Sequence, residues 1–281
     1  MKLPKFSRLS AAAALVAVMS VPAVATAGAV FLTGHDPDFH AQDIVSAQHL
    51  LSAGLSFVTG GAYTNTAKKF LWVESFLSPT AGHRVGEDGL NALGLTNGVQ
   101  YDWVNGAGFA SVNLADYEAI AIASSFGGML TQAELDALIA RKADISAFVN
   151  GGGGLMALAE CAPSSGSCFA DTLGSNPDLF GFLPVAVSSV VTVSPYALTA
   201  AGAAMFPGLS NADMNDPTHN SFGLVGGLTI VDTDSAGHAT TLAGNVTVDD
   251  GGFHPTPEPG SIALAGLALA ALGLSRRQRR A

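Results

Sequence analysis

Positive charge is scarce in this chain and nearly absent from its interior. Of the 12 lysines and arginines, Lys2, Lys5 and Arg8 crowd one end and Arg276, Arg277, Arg279 and Arg280 the other. Between residues 28 and 250 only Lys68, Lys69, Arg84, Arg141 and Lys142 remain, against 21 of the 22 aspartates and glutamates, a net charge of −16. Such a surface repels a phosphate backbone, which excludes nucleic acid as a partner. The same imbalance attracts divalent cations.

Cysteine is nearly missing as well. The two present, Cys161 and Cys168, stand seven residues apart. In an exported protein an even pair at that spacing reads as a disulfide closing a small loop; the alternative is a reactive thiol at Cys161. No internal repeat and no flat threonine-rich face is present, which excludes solenoids and ice-binding surfaces. No apolar run reaches the roughly 20 residues that cross a bilayer comfortably as a helix.

The strongest signals sit at the two ends. Lys2, Lys5 and Arg8 precede an apolar stretch from Ala11 to Val24, and Ala25-Thr26-Ala27 supplies small residues suited to cleavage. That order is the pattern of a secretory signal peptide, so residues 1–27 are set apart from the fold. At the other end a linker, residues 251–256, leads into Pro257-Glu258-Pro259, an apolar run from Ile262 to Leu274, and then Arg276, Arg277, Arg279 and Arg280. As a transmembrane helix, residues 261–274 rise about 21 Å, short of the roughly 30 Å hydrocarbon core. Snorkelling arginines and local thinning close part of the gap. The arginines stay cytoplasmic by the positive-inside rule, which places the preceding domain across the membrane.

A proline pair, an apolar span and a terminal arginine cluster, in this order, resemble the PEP-CTERM protein-sorting tail of Gram-negative bacteria. That segment is also labelled an ice-binding-protein C-terminal domain. The resemblance implies an exported protein held transiently in the inner membrane by residues 257–281. It further implies handling by secretion and sorting machinery and a destination at the cell surface, with extracellular polysaccharide as a partner.

Residues 28–250 read as one α/β domain. Ala29–Thr33, Phe70–Ser75, Tyr101–Val104, Ile120–Ala123 and Leu155–Ala159 are short apolar runs expected as strands. Between them, the segment from Ala41 to Val58 carries Ile44, Ala47, Leu50 and Leu51 at helical spacing. The clearest expected helix runs from Gln132 to Val149, with Leu135, Leu138, Ile139, Ile145 and Val149 on one face and Lys142 its one interruption. Thr131 and Glu134 form a capping box at its start. Strand–helix alternation implies right-handed crossovers and a mainly parallel sheet with helices on both faces. From Val185 onward the texture turns β-rich, with strands expected at Val185–Val193, Leu224–Asp232 and Ala239–Val248. The last two form a hairpin through Asp234-Ser235-Ala236-Gly237.

Several clusters could carry chemistry. His35-Asp36-Pro37-Asp38-Phe39-His40 follows the first strand, at the edge where open α/β sheets bind ligands. His35, Asp36, Asp38 and His40 offer nitrogen and oxygen ligands to a divalent metal; the alternative is that an aspartate caps the next helix. The Gly151–Gly154 run follows a helix and precedes a strand, the reverse of a phosphate loop, so it is a turn. No organic cofactor is expected. Asn211 to Asp216 alternates oxygen-bearing side chains but lacks the glycine and glutamate of a calcium loop.

The stretch from Asp116 through Phe126-Gly127-Gly128, the capped helix and Leu155-Met156-Ala157-Leu158-Ala159-Glu160-Cys161 resembles the class I glutamine-amidotransferase-like superfamily, including ThuA-like proteins. The resemblance spans about residues 29–185 and implies a flavodoxin-like architecture. It would make Cys161 a nucleophile after a strand, Gly127 and Gly128 an oxyanion hole, and His219 the base. The chain departs from that pattern in three ways. Ala162-Pro163 follows the cysteine where the family favours a glycine, Ser221 replaces the carboxylate after the histidine, and Cys168 lies close enough to trap Cys161. The expectation is therefore a non-catalytic, surface-directed domain. A thiol hydrolase and a metal- or carbohydrate-binding module are the alternatives.

Overall fold

Neighbouring residues of the central strands go to opposite faces, and both faces are apolar. That pattern produces a sheet covered on each side. The computed structural model of the chain describes residues 27–61, 63–65, 67–75, 87–125, 132–159, 180–183, 187–249 and 252–255. Strand β1 (Gly28–Thr33) leads into α1 (Pro37–His40) and α2 (Val45–Val58); β2 (Lys69–Val73) precedes α3 (Glu87–Ala92). Next come β3 (Tyr101–Val104), α4 (Gly106–Phe109), β4 (Tyr117–Ile122), α5 (Gln132–Ala140), α6 (Lys142–Asn150) and β5 (Gly154–Ala157). The remainder is β6 (Val187–Val190), β7 (Ala197–Leu198), α7 (Ala200–Met205), β8 (Ser221–Val225), β9 (Thr229–Thr233), β10 (Ala239–Asp249) and β11 (Gly252–Pro255).

These strands form one 11-stranded sheet whose main path is β3-β2-β4-β5-β1-β10-β8-β6; β9 and β11 also pair with β10, and β7 with β9. Strands β3, β2, β4, β5 and β1 run parallel. Every pairing beyond β1 is antiparallel. The sheet is therefore mixed, not mainly parallel as expected. Its first strand also lies at the end of the parallel half, whereas a flavodoxin-like order places that strand inside. The cause is β10, which pairs with β1 along its whole length, from Gly28↔Val246 to Thr33↔Thr241.

Val30, Leu32, Leu71, Val73, Ile120, Ile122 and Leu155 meet Phe109, Leu135, Leu138, Ile145 and Val149 of α4, α5 and α6 on one face. Phe31, Phe70, Trp72, Ala119, Ala121 and Met156 meet Leu50, Leu51, Leu55 and Val58 of α2 and Leu90 of α3 on the other. Helices on both faces were expected. The expected single helix from Gln132 to Val149 breaks at Arg141, beside the Lys142 interruption. The break lets the Arg141 guanidinium donate to the carbonyls of Phe109 (2.7 Å) and Val112 (2.8 Å). It leaves Lys142 in solvent.

Among the described residues no helix is long and apolar enough to cross a membrane. The expected signal peptide up to Thr26 and the expected helix 261–274 lie outside the described residues.

Candidate metal centre

The carboxyl ends of β1, β2 and β4 carry an unusual load of buried acid. Asp36, Asp38 and Glu74 are fully buried there, together with Asp232, and Asp216 is 3 % exposed. Ser124 and Ser125 follow β4 and are also fully buried. Burying charge without compensation is costly, so each of these groups is paired, protonated or bound to a cation.

The backbone brings a distant loop onto the end of β1. Gly34 N donates to Thr240 O (2.8 Å), Asp36 N to Pro217 O (2.8 Å), and His219 N to Gly34 O (2.8 Å). A Cβ on Gly34 would lie 1.8 Å from Asn220 O, so only glycine allows this approach. The zipped loop sets His219 against Asp36.

Asp36 stands at the N-cap of α1, and its side chain makes no capping bond. Its Oδ2 instead lies 3.0 Å from His219 Nε2 and 3.6 Å from His40 Nε2. The three ligand atoms all lie within 4.8 Å of one another. Pro37 at the first helical position and the i,i+4 spacing fold His40 back over Asp36. The histidines are the partly open side of the cluster, 16 % exposed at His219 and 23 % at His40, whereas Asp36 is closed.

His35 and Asp38 are held elsewhere. His35 Nε2 meets Asp232 Oδ2 at 3.0 Å, and its Nδ1 meets Thr218 Oγ1 at 2.7 Å. Burial alone would lower its pKa, but the charge and hydrogen bond of Asp232, with help from Asp216, raise it. Thr218 Oγ1 donates to Asp216 O (2.8 Å), so the ring donates from both nitrogens as an imidazolium. His35 thus ties the 216–220 loop to β9 without facing a ligand. The Asp38 carboxylate accepts from Ser124 N (2.8 Å). Burial, and then the neighbouring Asp36 carboxylate, push the Asp38 pKa well above the usual range. Burial likewise pushes Asp216 up to about 7, with Asp36 adding to the shift and His35 opposing it.

Of the expected metal set, Asp36 and His40 come together, and His219 joins them. In sequence His219 reads as a structural histidine satisfied by the polar Thr218–Ser221 run around it, or by resemblance as a base for Cys161. Cys161, Cys168, Gly127 and Gly128 lie outside the described residues. Asp213 turns away to His49 (2.7 Å) and Ser210, while Asp216 is buried inward, so the 211–216 loop does not gather its oxygens. A cleft of about 570 Å³ lined by Lys68, Asn113, Arg141 and Gly151 lies at the opposite edge of the sheet, where the parallel strands begin, and takes no part in this cluster.

The family model for the PEP-CTERM protein-sorting motif matches residues 255–280. The protein is therefore exported, handed to the exosortase sorting system and transiently anchored, with a surface or extracellular fate. The match covers the tail alone and is silent on residues 28–250. No curated protein matches the chain, and no solved structure does.

Proposed function

We propose that the exported domain binds one divalent transition-metal ion, with zinc the best fit, through Asp36, His40 and His219. The observation that carries this is the meeting of one buried carboxylate and two imidazoles around a common point. Two ligands of a tetrahedral ion, each bonded at about 2.0–2.1 Å, stand about 3.3 Å apart. The separations of 3.0 and 3.6 Å bracket that value. Two imidazoles with a carboxylate suit zinc or iron better than calcium or magnesium.

Three protein ligands leave a coordination position for water or a ligand on the open histidine side. The ion would supply Lewis acidity there. The His35–Thr218 contact holds the loop that carries His219, and Asp38 is held at the Ser124 amide. The domain then acts as a metal-dependent module of the cell surface or extracellular matrix, within reach of polysaccharide. The doubly covered sheet supports reading its core as a rearranged amidotransferase-like relative; residues 1–27 as the signal peptide and Cys161–Cys168 as a disulfide rest on the sequence pattern alone.

Zinc titration of the purified chain, followed by calorimetry and by metal analysis after desalting, tests this. One zinc per chain is expected, and Asp36→Asn, His40→Ala and His219→Ala should each weaken binding by more than about 100-fold. His49→Ala, outside the cluster, should bind as the parent does. Equal binding by all of these variants overturns the assignment.

A further inference from the structure

The sorting tail leaves the domain at a definite place. Strand β11 pairs with the lower part of β10, from Asp249↔Gly252 to Val246↔Pro255. The next stretch along the same side of β10 is taken by β9, whose Thr229 pairs with Ala243. On that side of β10 only Gly244 and Asn245 separate the residues paired with β11 from those paired with β9. Val246 also pairs with Gly28 on its other side. Entry to and exit from the domain thus lie level with one another, about two strand spacings or 10 Å apart.

That level is the edge where the parallel strands begin. The metal ligands follow the other end of β1, which is six residues long, or roughly 17 Å from first to last residue. α1 and the 216–220 loop lie beyond it and add about 10 Å, the thickness of one helix. Only Thr256 to Gly260 separate Pro255 from the start of the apolar span at Ser261. The six Cα-to-Cα steps from Pro255 to Ser261 reach at most about 21 Å. An inverted domain, with its ligand edge against the bilayer, would need roughly 27 Å of tether. The tether is too short by about a fifth.

We propose that the tail-anchored domain stands on the membrane by the edge where its parallel strands begin and presents Asp36, His40 and His219 outward. The molecule that reaches the open side of this cluster is then water-soluble and arrives from the extracytoplasmic phase, not from the lipid. The orientation follows from the sheet and the tail alone, whereas the statement about the ligand rests on the metal reading.

Energy transfer to a headgroup-labelled lipid tests the orientation, using the uncut chain in nanodiscs with a dye on a genetically encoded azide. Ala115 marks the edge where strands begin and Asp43 the ligand edge; both are exposed. Asn113 and Asn215, also exposed, form a second pair should either first label disturb folding. Transfer is expected to be severalfold stronger from Ala115 than from Asp43, and unchanged between zinc and chelator. Equal transfer, or stronger transfer from Asp43, overturns the proposal. Failure to bind zinc with the gradient intact would sink the metal reading and leave the orientation standing.

Discussion

Replacing Gly34 by alanine tests whether the close approach at the end of β1 builds the ligand cluster. The new Cβ would lie 1.8 Å from Asn220 O and 2.7 Å from Asn220 C, and contacts below 3.0 Å are essentially never seen. Both atoms are backbone, so no flexible side chain can yield. The 216–220 loop must withdraw by more than an ångström, against the 2.8 Å bonds that tie His219 N to Gly34 O and Asp36 N to Pro217 O. Forced overpacking of this kind costs about 1–3 kcal/mol. At a urea slope of about 2 kcal/mol/M, the unfolding midpoint should drop by roughly 1 M. Metal–ligand distances tolerate only about 0.2 Å, so displacing His219 should weaken zinc binding about 10- to 100-fold. Urea unfolding followed by circular dichroism and a zinc titration of the same sample read both effects. A variant that matches the parent in midpoint and affinity would show that the loop is not held by this contact.

Other consequences follow from named contacts. His35→Ala removes one partner of a buried ion pair, at a cost of about 3–5 kcal/mol; calorimetry should show a melting temperature lower by roughly 10 °C. The Asp234 carboxylate accepts from Ser221 Oγ, Ala236 N and His238 N, and its hydrogen bonds with Ser221 and His238, outweighing burial, hold its pKa below the usual value. Because the folded pKa is the lower one, its contribution is complete above about pH 4 and is lost as the pH falls below that. Asp234→Asn should flatten the acid limb of stability against pH and cost about 1–3 kcal/mol at neutrality; an unchanged acid limb refutes it. Arg141→Ala frees the carbonyls of Phe109 and Val112 and should destabilise by about 2 kcal/mol in urea unfolding. Deleting Pro257 to Ala281 should move the protein from the membrane fraction to the soluble extracytoplasmic fraction, and an unchanged distribution in fractionated cells contradicts the anchor.

Local periodicity made much of the parallel half legible. Tyr101–Val104 was expected as a strand and is one. The apolar runs at β1, β2, β4 and β5 lie within a few residues of their expected positions, because strands buried on both faces read as continuous apolar stretches. The expected hairpin through Asp234-Ser235-Ala236-Gly237 joins β9 to β10. Less was legible beyond it. The run from Leu224 to Asp232 is two strands, split by Gly226 and Gly227 with φ of 58° and 84°, a turn signal hidden in an apolar stretch. Asp36 and His40 were readable because both sit on one short segment. The third member of the cluster, His219, comes from 183 residues further along than Asp36, and no local pattern reports which loop crosses β1. His35 looked equivalent to His40 in sequence. Only the pairing of β1 and β9 with β10 brings Asp232 to its ring.

The union of β1 with β10 governs when this chain can fold. The first strand of the domain to be made finds its antiparallel neighbour among residues 241–246, nearly the last of the domain. Until then β1 can pair only on its other side, with β5, and the sheet stays open at its centre. Closing so long a loop is slow. For a chain made from its N-terminus, the topology defers closure of the sheet until almost the whole domain is present.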